Sequence, residues 1–443
     1  MCNFKFQISN FKSPLKSQIL NFKSLLKSQI SNFKSLPVAL LRSALLTLPA
    51  RSADLPSSRF QPFTALLAGL LLSGVPVLPV LAQTPAQPYA VIPRDAVNYA
   101  GPGRDASYDL EGTEIKIGLL APLTGSEAKD GKALLQAAQM AVEDDAAIPL
   151  PQGRRLRIVP RDQSGPWGRA SSEIVHLVYE DRAVAILTSL DGASAHLAEQ
   201  VANKAGIPIL TLSSDPTTTE INLPWIFRLG PTDTEQARAF AQDIYRARRL
   251  ERVVLLAEID HDGRVGGEEF QKAARALNAP PGIQLAISPA EPSPDSVLTQ
   301  IMAQSPEALV FWTGHETASE LIPRIRRALP SLPIYLCREA APELASADLQ
   351  NIWIAGGRPA DRAPSEEFQS RYRARTGTAP SAAAAQAYDA VRILAIALRR
   401  TGPNRARLRD ALAGLSAYSG ASGVIAFDHA GNDLGDVTLV RLY

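Results

Sequence analysis

The sequence predicts an α/β fold built on parallel sheets and divided into two lobes. Three observations carry that expectation. From Ile115 onward, short β-branched runs alternate with helical stretches to the end of the chain. The runs are apolar at consecutive rather than alternate positions, the pattern of strands covered on both faces. They are also too many for one small sheet.

Taken in order, the strand candidates are IKIGLLA from Ile115, RLRIV from Arg155, VAIL from Val184 and IPILTL from Ile207. VVLLA from Val253, IQLAI from Ile283, ALVFW from Ala308, PIYL from Pro333 and IWIA from Ile352 follow. GVIAF from Gly423 and VTLVRL from Val437 are the last two. Helical period places Leu134, Ala138, Ala141 and Val142 on one face. It does the same for Ala237, Phe240, Ala241 and Ile244, and for Ala384, Ala387, Tyr388, Val391 and Leu394. Trp225 and Trp312 read as core.

The front of the chain differs from this body. Residues 1–58 repeat NFKS at Asn10, Asn21 and Asn32 and carry no acid before Asp54. Two readings stand: a translated repeat ahead of the true start, or a basic amphipathic arm. The only methionines are Met1, Met140 and Met302, so a later start would need another initiation codon. Residues 59–82 have the layout of a secretory signal: Arg59, an apolar stretch from Phe63 to Leu81, then the small-residue pattern Val80-Leu81-Ala82. An uncleaved membrane anchor over 63–81 is the alternative. Residues 83–112, rich in Pro, Ala and Gly, read as a linker.

Cleavage after Ala82 changes the charge. Residues 83–443 hold 37 Lys and Arg against 43 Asp and Glu. That mildly acidic chain has no basic stripe for nucleic acid. Cys337 is its only cysteine, so no internal disulfide is expected and the exported fold rests on its cores.

In parallel sheets ligands bind beyond the carboxyl ends of the strands. The residues there are rich in hydroxyls and acids. They include Thr124 to Asp130, Asp162 to Trp167, Asp191 to Ser194, Ser213 to Asp215, Glu258 to Asp262, Thr313 to Glu316, and Cys337 to Glu339. Enzyme signals are weak among them. No dinucleotide or P-loop glycine pattern is present, GAS at Gly192 lacks the second glycine of a nucleophile elbow, and His176 and His196 read as helical positions. Asp260-His261-Asp262 has metal-ligating residue types but reads as a polar loop. Neither a metal nor a cofactor is expected, nor catalysis.

The stretch IKIGLLAPLTGSEAKDGKALLQAAQMAVED from Ile115 resembles the opening of type I periplasmic binding proteins of the branched-chain amino-acid class. The resemblance continues through AGIPILTLSSDPT, WIFRLGPTDTEQA, AYDAVRILAIAL and GVIAFDHAGND and so covers 115–443 in order. It implies two Rossmann-like lobes joined by three crossovers near Pro231–Glu235, Gly356–Asp361 and Tyr418–Gly423. Lobe one is then 113–233 plus 360–418, and lobe two is 234–359 plus 419–443. The resemblance also implies a monomeric solute receptor that serves a membrane ABC permease in the periplasm or outside the cell, with a sensor or regulatory domain as the alternative.

On that resemblance the ligand-binding groups are Asp191, Gly192 and Ser194 after the third strand and Ser213, Ser214 and Asp215 after the fourth. Glu339 aligns with an acid of lobe two and His315 with an aromatic position; Trp167 and Asp130 are further candidates. Departures from the family pattern at Ser213-Ser214-Asp215, Asp130, Val265 and Gly192 argue against a branched-chain amino acid as the ligand. Asp215 before Pro216 is equally a good helix start. If Asp130, Asp191, Asp215 and Glu339 rim one cleft, a ligand with at least one amine is expected, and Arg338 could meet a carboxylate.

Overall fold

The computed structural model describes residues 101–106, 112–165, 168–221, 223–288, 293–340, 350–357, 365–434 and 437–442. The repeat, the signal segment, most of the linker and Trp167 lie outside them. Among the described residues no helix is long and apolar enough to cross a membrane.

Lobe one holds a five-stranded, fully parallel sheet in the order β2-β1-β3-β4-β5. Its strands are β1 (Glu114–Ala121), β2 (Arg155–Asp162), β3 (Ala185–Thr188), β4 (Ile209–Thr211) and β5 (Ile226–Arg228). Helices α1 (Ala128–Asp145), α2 (Arg169–Val175), α3 (Gly192–Ala205) and the single turn α4 (Thr217–Glu220) connect them. One face of the sheet is covered by a core that includes Ile117, Leu119, Leu134, Ala138 and Leu394; the other by one that includes Leu120, Ile174, Ile186 and Trp225. Burial on both faces explains the continuous apolar runs.

Lobe two repeats the design. Strands β6 (Val253–Glu258), β7 (Ile283–Ile287), β8 (Ala308–Trp312), β9 (Ile334–Leu336) and β10 (Ile352–Gly357) stand in the order β7-β6-β8-β9-β10. Strand β13 (Val437–Arg441) is added antiparallel along β10. Helices α5 (Asp233–Ala241), α6 (His261–Ala276), α7 (Pro294–Ala303) and α8 (His315–Ala328) belong to this lobe. Phe240, Phe270, Trp312 and Tyr335 form its aromatic centre. The edge strands are exceptions to two-sided burial: Ile283 of β7 is 42% exposed and Val440 of β13 is 44% exposed. In each lobe the strand order reverses between the first and third strands of the set, β1 and β3 or β6 and β8. Such switch points leave a crevice between neighbouring connections.

Helices α9 (Glu366–Thr376), α10 (Ala382–Thr401) and α11 (Arg405–Ala413) return to lobe one, and α10 packs on α1. The first passage between lobes falls at 229–233. There α5 opens with a capping box, Thr232 and Glu235 each satisfying the other's backbone N–H. The second runs into residues that are not described.

The third passage differs from the sequence expectation. Strands β11 (Tyr418–Gly420) and β12 (Gly423–Ile425) pair as a hairpin, and Ala421, Ile425 and Phe427 complete the core of lobe one. Phe427 lies 5.2 Å from Phe227, ring centre to ring centre. The chain then runs along β5, where Arg228 N–H donates to the Gly431 carbonyl at 2.8 Å. Only β13 joins the lobe-two sheet. Apolar residues at 421, 425 and 427 hold the chain to lobe one about fifteen residues longer than expected.

Gly131, in the first turn of α1, lets that helix close on the loop after β1. A Cβ there would lie 1.8 Å from the Pro122 carbonyl oxygen, so backbone must move. Gly131→Ala should destabilise lobe one by about 1–3 kcal/mol or more, read as a lower midpoint in denaturant. An unchanged midpoint would show that α1 can shift at no cost.

Candidate functional site

The crevice between the lobes is built from helix starts and strand ends. On the lobe-one side the loop after β4 is held from behind by Arg228. This side chain is fully buried. Its guanidinium donates to the carbonyls of Ser213 and Asp215, to the hydroxyls of Thr218 and Thr219 and to Asn432 Oδ1. Burial lowers its pKa to about 10, against the raising charges of Asp215 and Asp233, which leaves it a cation at neutral pH.

That anchoring sets Ser213, Ser214 and Asp215. All three are buried. Ser213 Oγ accepts from the Asp215 N–H at 3.2 Å, and the Ser214 carbonyl accepts from the N–H of Asp233 at 2.8 Å, where the chain enters lobe two. Asp215 Oδ1 accepts from the Thr217 N–H at 2.8 Å and its hydroxyl at 2.7 Å, the local turn chemistry expected of Asp before Pro. Its Oδ2 has a second task. His196 Nε2, from α3, lies 3.0 Å away, and His261 Nε2, from the start of α6 in lobe two, lies 2.6 Å away. Burial alone would raise this carboxyl. The bonds from His196, His261 and Thr217 outweigh it and hold the group well below the usual carboxylate range. In return, His196 rises to about 9, through its bonds with Asp215 first and Glu199 second.

Asp191 caps α3, accepting from Ala193 N–H at 3.0 Å, from the Ser194 hydroxyl at 2.5 Å and from Gln163 Nε2 at 3.1 Å. The next N–H, of Gly192, points across the crevice. It donates to both oxygens of Asp262, at 3.2 and 3.1 Å. A Cβ at 192 would lie 2.3 Å from Asp262 Oδ1, so glycine is required for this approach. Asp262 is thus a carboxylate of lobe two seated at a helix N-terminus of lobe one. Desolvation, and then the charges of Asp191, Asp233 and Glu339, push its pKa well up.

The other lobe-two groups surround it. Asp233 is buried and accepts from Trp312 Nε1 and Gln236 Nε2, each at 3.1 Å. Burial and the charge of Glu339 raise it to about 7. Glu339 Oε1 is buried without a hydrogen-bond partner, and its nearest cation, Arg338 Nε, is 4.0 Å away. Arg338 reaches over to lobe one, donating to the Leu212 carbonyl at 3.1 Å and to Gln386 Oε1. His315, first residue of α8, lies 3.2 Å from Asp130 of α1, and that bond raises the imidazole pKa. The lobes are therefore in contact through His261 to Asp215, Asp262 to Gly192, Arg338 to Leu212 and His315 to Asp130.

The sequence candidates are distributed differently from the expected ring of free acids. Asp191 and Glu339 do share a field with Asp262. Asp215 is turned to His196 of its own lobe and to His261, and Asp130 to His315, because two helix N-termini of lobe two bring His261 and His315 against lobe one. Asp262 and Asp233, absent from the expected set, supply the missing charge. His196, His261 and Arg228 are likewise outside the expected ligand set. Three of the missed groups are the first or second residues of helices that directly follow strands or a lobe passage. That position, in a doubly wound sheet, is their signal; it placed His261 and Asp262 among the strand-end residues, where they read as a polar loop, and it applies equally to Asp233 after the lobe passage.

Residues 114–439 match the family described as periplasmic binding protein. The chain is similar to a Pseudomonas aeruginosa protein named "Amino acid binding protein", 26% identical over 218 residues, 48% of this chain and 57% of that one. It is also similar to Glutamate receptor 2.9 of Arabidopsis thaliana, 30% identical over 145 residues, 32% of this chain and 15% of that one. The match thus spans a little over half of the first relative and a small part of the second. Among solved structures, the substrate-binding protein LivJ of Streptococcus pneumoniae, in complex with isoleucine, superposes with a TM-score of 0.65 at 21% identity, covering 74% of this chain and 96% of that chain. An R. palustris solute-binding protein in complex with benzoate gives 0.67 at 20% identity, covering 74% and 93%. These likenesses show the same two-lobed fold.

Two predictions follow from the geometry. Arg228→Met leaves two backbone carbonyls and two hydroxyls at the base of the loop without their buried donor, and should lower stability by about 3 kcal/mol or more; a loss under about 1 kcal/mol in denaturant titration would contradict the anchoring role. Asp233 has a folded pKa raised from 3.8 to about 7, so its contribution to stability is fully present below pH 3.8 and is lost as pH rises through about 7. Asp233→Asn does not titrate. The stability difference, wild type minus variant, should therefore fall between pH 4 and pH 7, and a flat difference in thermal melts would refute the raised pKa.

Proposed function

The chain belongs to the periplasmic binding protein family, and from that premise we propose that it is the extracytoplasmic receptor of an ABC-type importer. In this reading a small amine-bearing solute, such as an amino acid, sits between the lobes, and hinged closure presents the complex to a membrane permease. The observation that carries it is the pairing of opposite polarities in one crevice. The Gly192 N–H, at the start of α3, is already engaged by a carboxylate, that of Asp262, and a helix N-terminus is suited to such a group. Buried carboxyls of Asp233 and Glu339 raise the pKa of the same Asp262, and Glu339 keeps an oxygen without a hydrogen-bond partner. A solute with an ammonium group would satisfy that oxygen and offset the like charges. Its own carboxylate would take the place of Asp262, with Ser194 and Ser213 nearby in the same two loops.

Closure then follows from differential contact. A solute that touches α3 from lobe one and Glu339 from lobe two stabilises the closed form over the open one by the contacts it makes only there. The partial similarity to a protein named Glutamate receptor 2.9 favours a second reading, a ligand-sensing domain with the same clam. Adjacent permease and ATPase genes would separate the two.

The test is isothermal titration of the purified protein with amino acids, polyamines, amides and small carboxylic acids. An amine-bearing solute should bind, and Glu339→Gln should weaken it about tenfold or more. Tight binding confined to neutral or anionic solutes would overturn the amine reading.

A further inference from the structure

We propose that His196, Asp215 and His261 form a binding site for a divalent transition-metal ion of the zinc class, placed across the seam between the lobes. The sequence reading expected no metal. His196 lies in mid-helix and His261 fifty residues beyond Asp215's strand, so no ligand spacing announces the site. The fold brings their ligand atoms, two imidazole Nε2 and one carboxylate oxygen, within 4.8 Å of one another.

The donor set fits such an ion. Two imidazoles, each releasing the Nε2 proton as the ion binds, and a carboxylate suit Zn2+, with a fourth position for water. Around a tetrahedral ion the ligand atoms stand roughly 3.3 Å apart. The two imidazole nitrogens lie 3.0 and 2.6 Å from Asp215 Oδ2, and all three ligand atoms lie within 4.8 Å of one another; an ion would spread the two N···O pairs slightly and draw the imidazoles together, a side-chain adjustment of about 1 Å. The surroundings orient two of the three ligands. Asp215 Oδ1 is held by the N–H and hydroxyl of Thr217, which leaves Oδ2 facing the imidazoles. His196 Nδ1 lies 3.0 Å from Glu199 Oε2, the carboxylate–imidazole–metal arrangement that fixes the ring and directs Nε2 to the ion. Glu199 is buried, and its other oxygen has no hydrogen-bond partner. With Asp215 it supplies two negative charges, which balance a divalent cation. The histidine side chains are 26% and 32% exposed, giving the ion an entry path and room for water. Thr217 Oγ1, 2.9 Å from His196 Nε2, is a further neutral oxygen beside the three ligands.

The placement gives the ion a role. His196 and Asp215 belong to lobe one and His261 to lobe two. An ion bound by all three favours contact between the lobes by its full differential affinity. It would act as a clamp on the crevice, independent of what solute lies there.

The experiment uses the purified full chain, stripped with EDTA and dialysed, and titrated with Zn2+ alone by calorimetry against a chromophoric chelator. One ion per chain should bind. Co2+ should give the visible absorption of a four-coordinate site with nitrogen ligands. Glu199→Gln should weaken Zn2+ by about 10–100-fold, and His261→Ala by more, with thermal melts confirming that both variants fold. Small-angle scattering should show the wild type more compact with Zn2+ and the His261→Ala variant unchanged. Absence of Zn2+ binding would overturn the proposal. So would equal binding by a His196→Ala, His261→Ala double variant, which would put the ion elsewhere, or equal affinity for Mg2+, which would exclude imidazole ligation. A wild-type particle no more compact with bound Zn2+ would remove the clamp.

Discussion

The crevice depends on one buried cation. Arg228 ends the short strand β5 with its guanidinium fully removed from water, and five oxygen atoms converge on it. A charge buried without such partners would be costly. Its partners lie at 213, 215, 218, 219 and 432, so the side chain ties the loop after β4 and the returning C-terminal segment to one point. Ser213 and Asp215 owe their positions to that point. So does the Ser214 carbonyl, which receives the first N–H of α5 as the chain passes into lobe two.

From this fixed loop the contacts between lobes can be understood as a set of exchanged charges. Lobe two presents helix starts, and lobe one presents carboxylates and a helix start of its own. His261 meets Asp215, Asp262 meets the Gly192 N–H, and His315 meets Asp130. These are short polar contacts between two well-packed bodies, and each can be exchanged for water or for a solute group at modest net cost. That division, two packed cores with a polar seam, suits the ligand-driven closure proposed above.

The acidic character of the seam has a physical consequence. Asp233 and Asp262 are buried next to Glu339, and desolvation with like-charge repulsion raises the first two. Arg338 offsets part of this, but its own hydrogen bonds go to Leu212 and Gln386. The site therefore carries unrelieved negative character that a cation or a proton would reduce.

Much of the fold was legible in the residues. Strands buried on two faces announce themselves by continuous apolar runs, and eleven of the thirteen strands among the described residues fall where strand candidates stand, from Ile115 in β1 to Val437 in β13. The failures are instructive. β5 ends in an arginine and is three residues long, so its burial is invisible without the loop that wraps the guanidinium. The family resemblance puts residues 419–443 in lobe two, whereas Ala421, Ile425 and Phe427 pack in the core of lobe one, a long-range contact that local pattern does not reveal. Sequence alone thus determined the alternation of strand and helix, the acid- and hydroxyl-rich strand ends, and the residue types available to the crevice. Only the tertiary structure decided which of those groups meet. Partners such as Asp215 and His261 stand 46 positions apart and on different lobes, and their meeting is set by strand order and lobe contact, which local propensity does not encode.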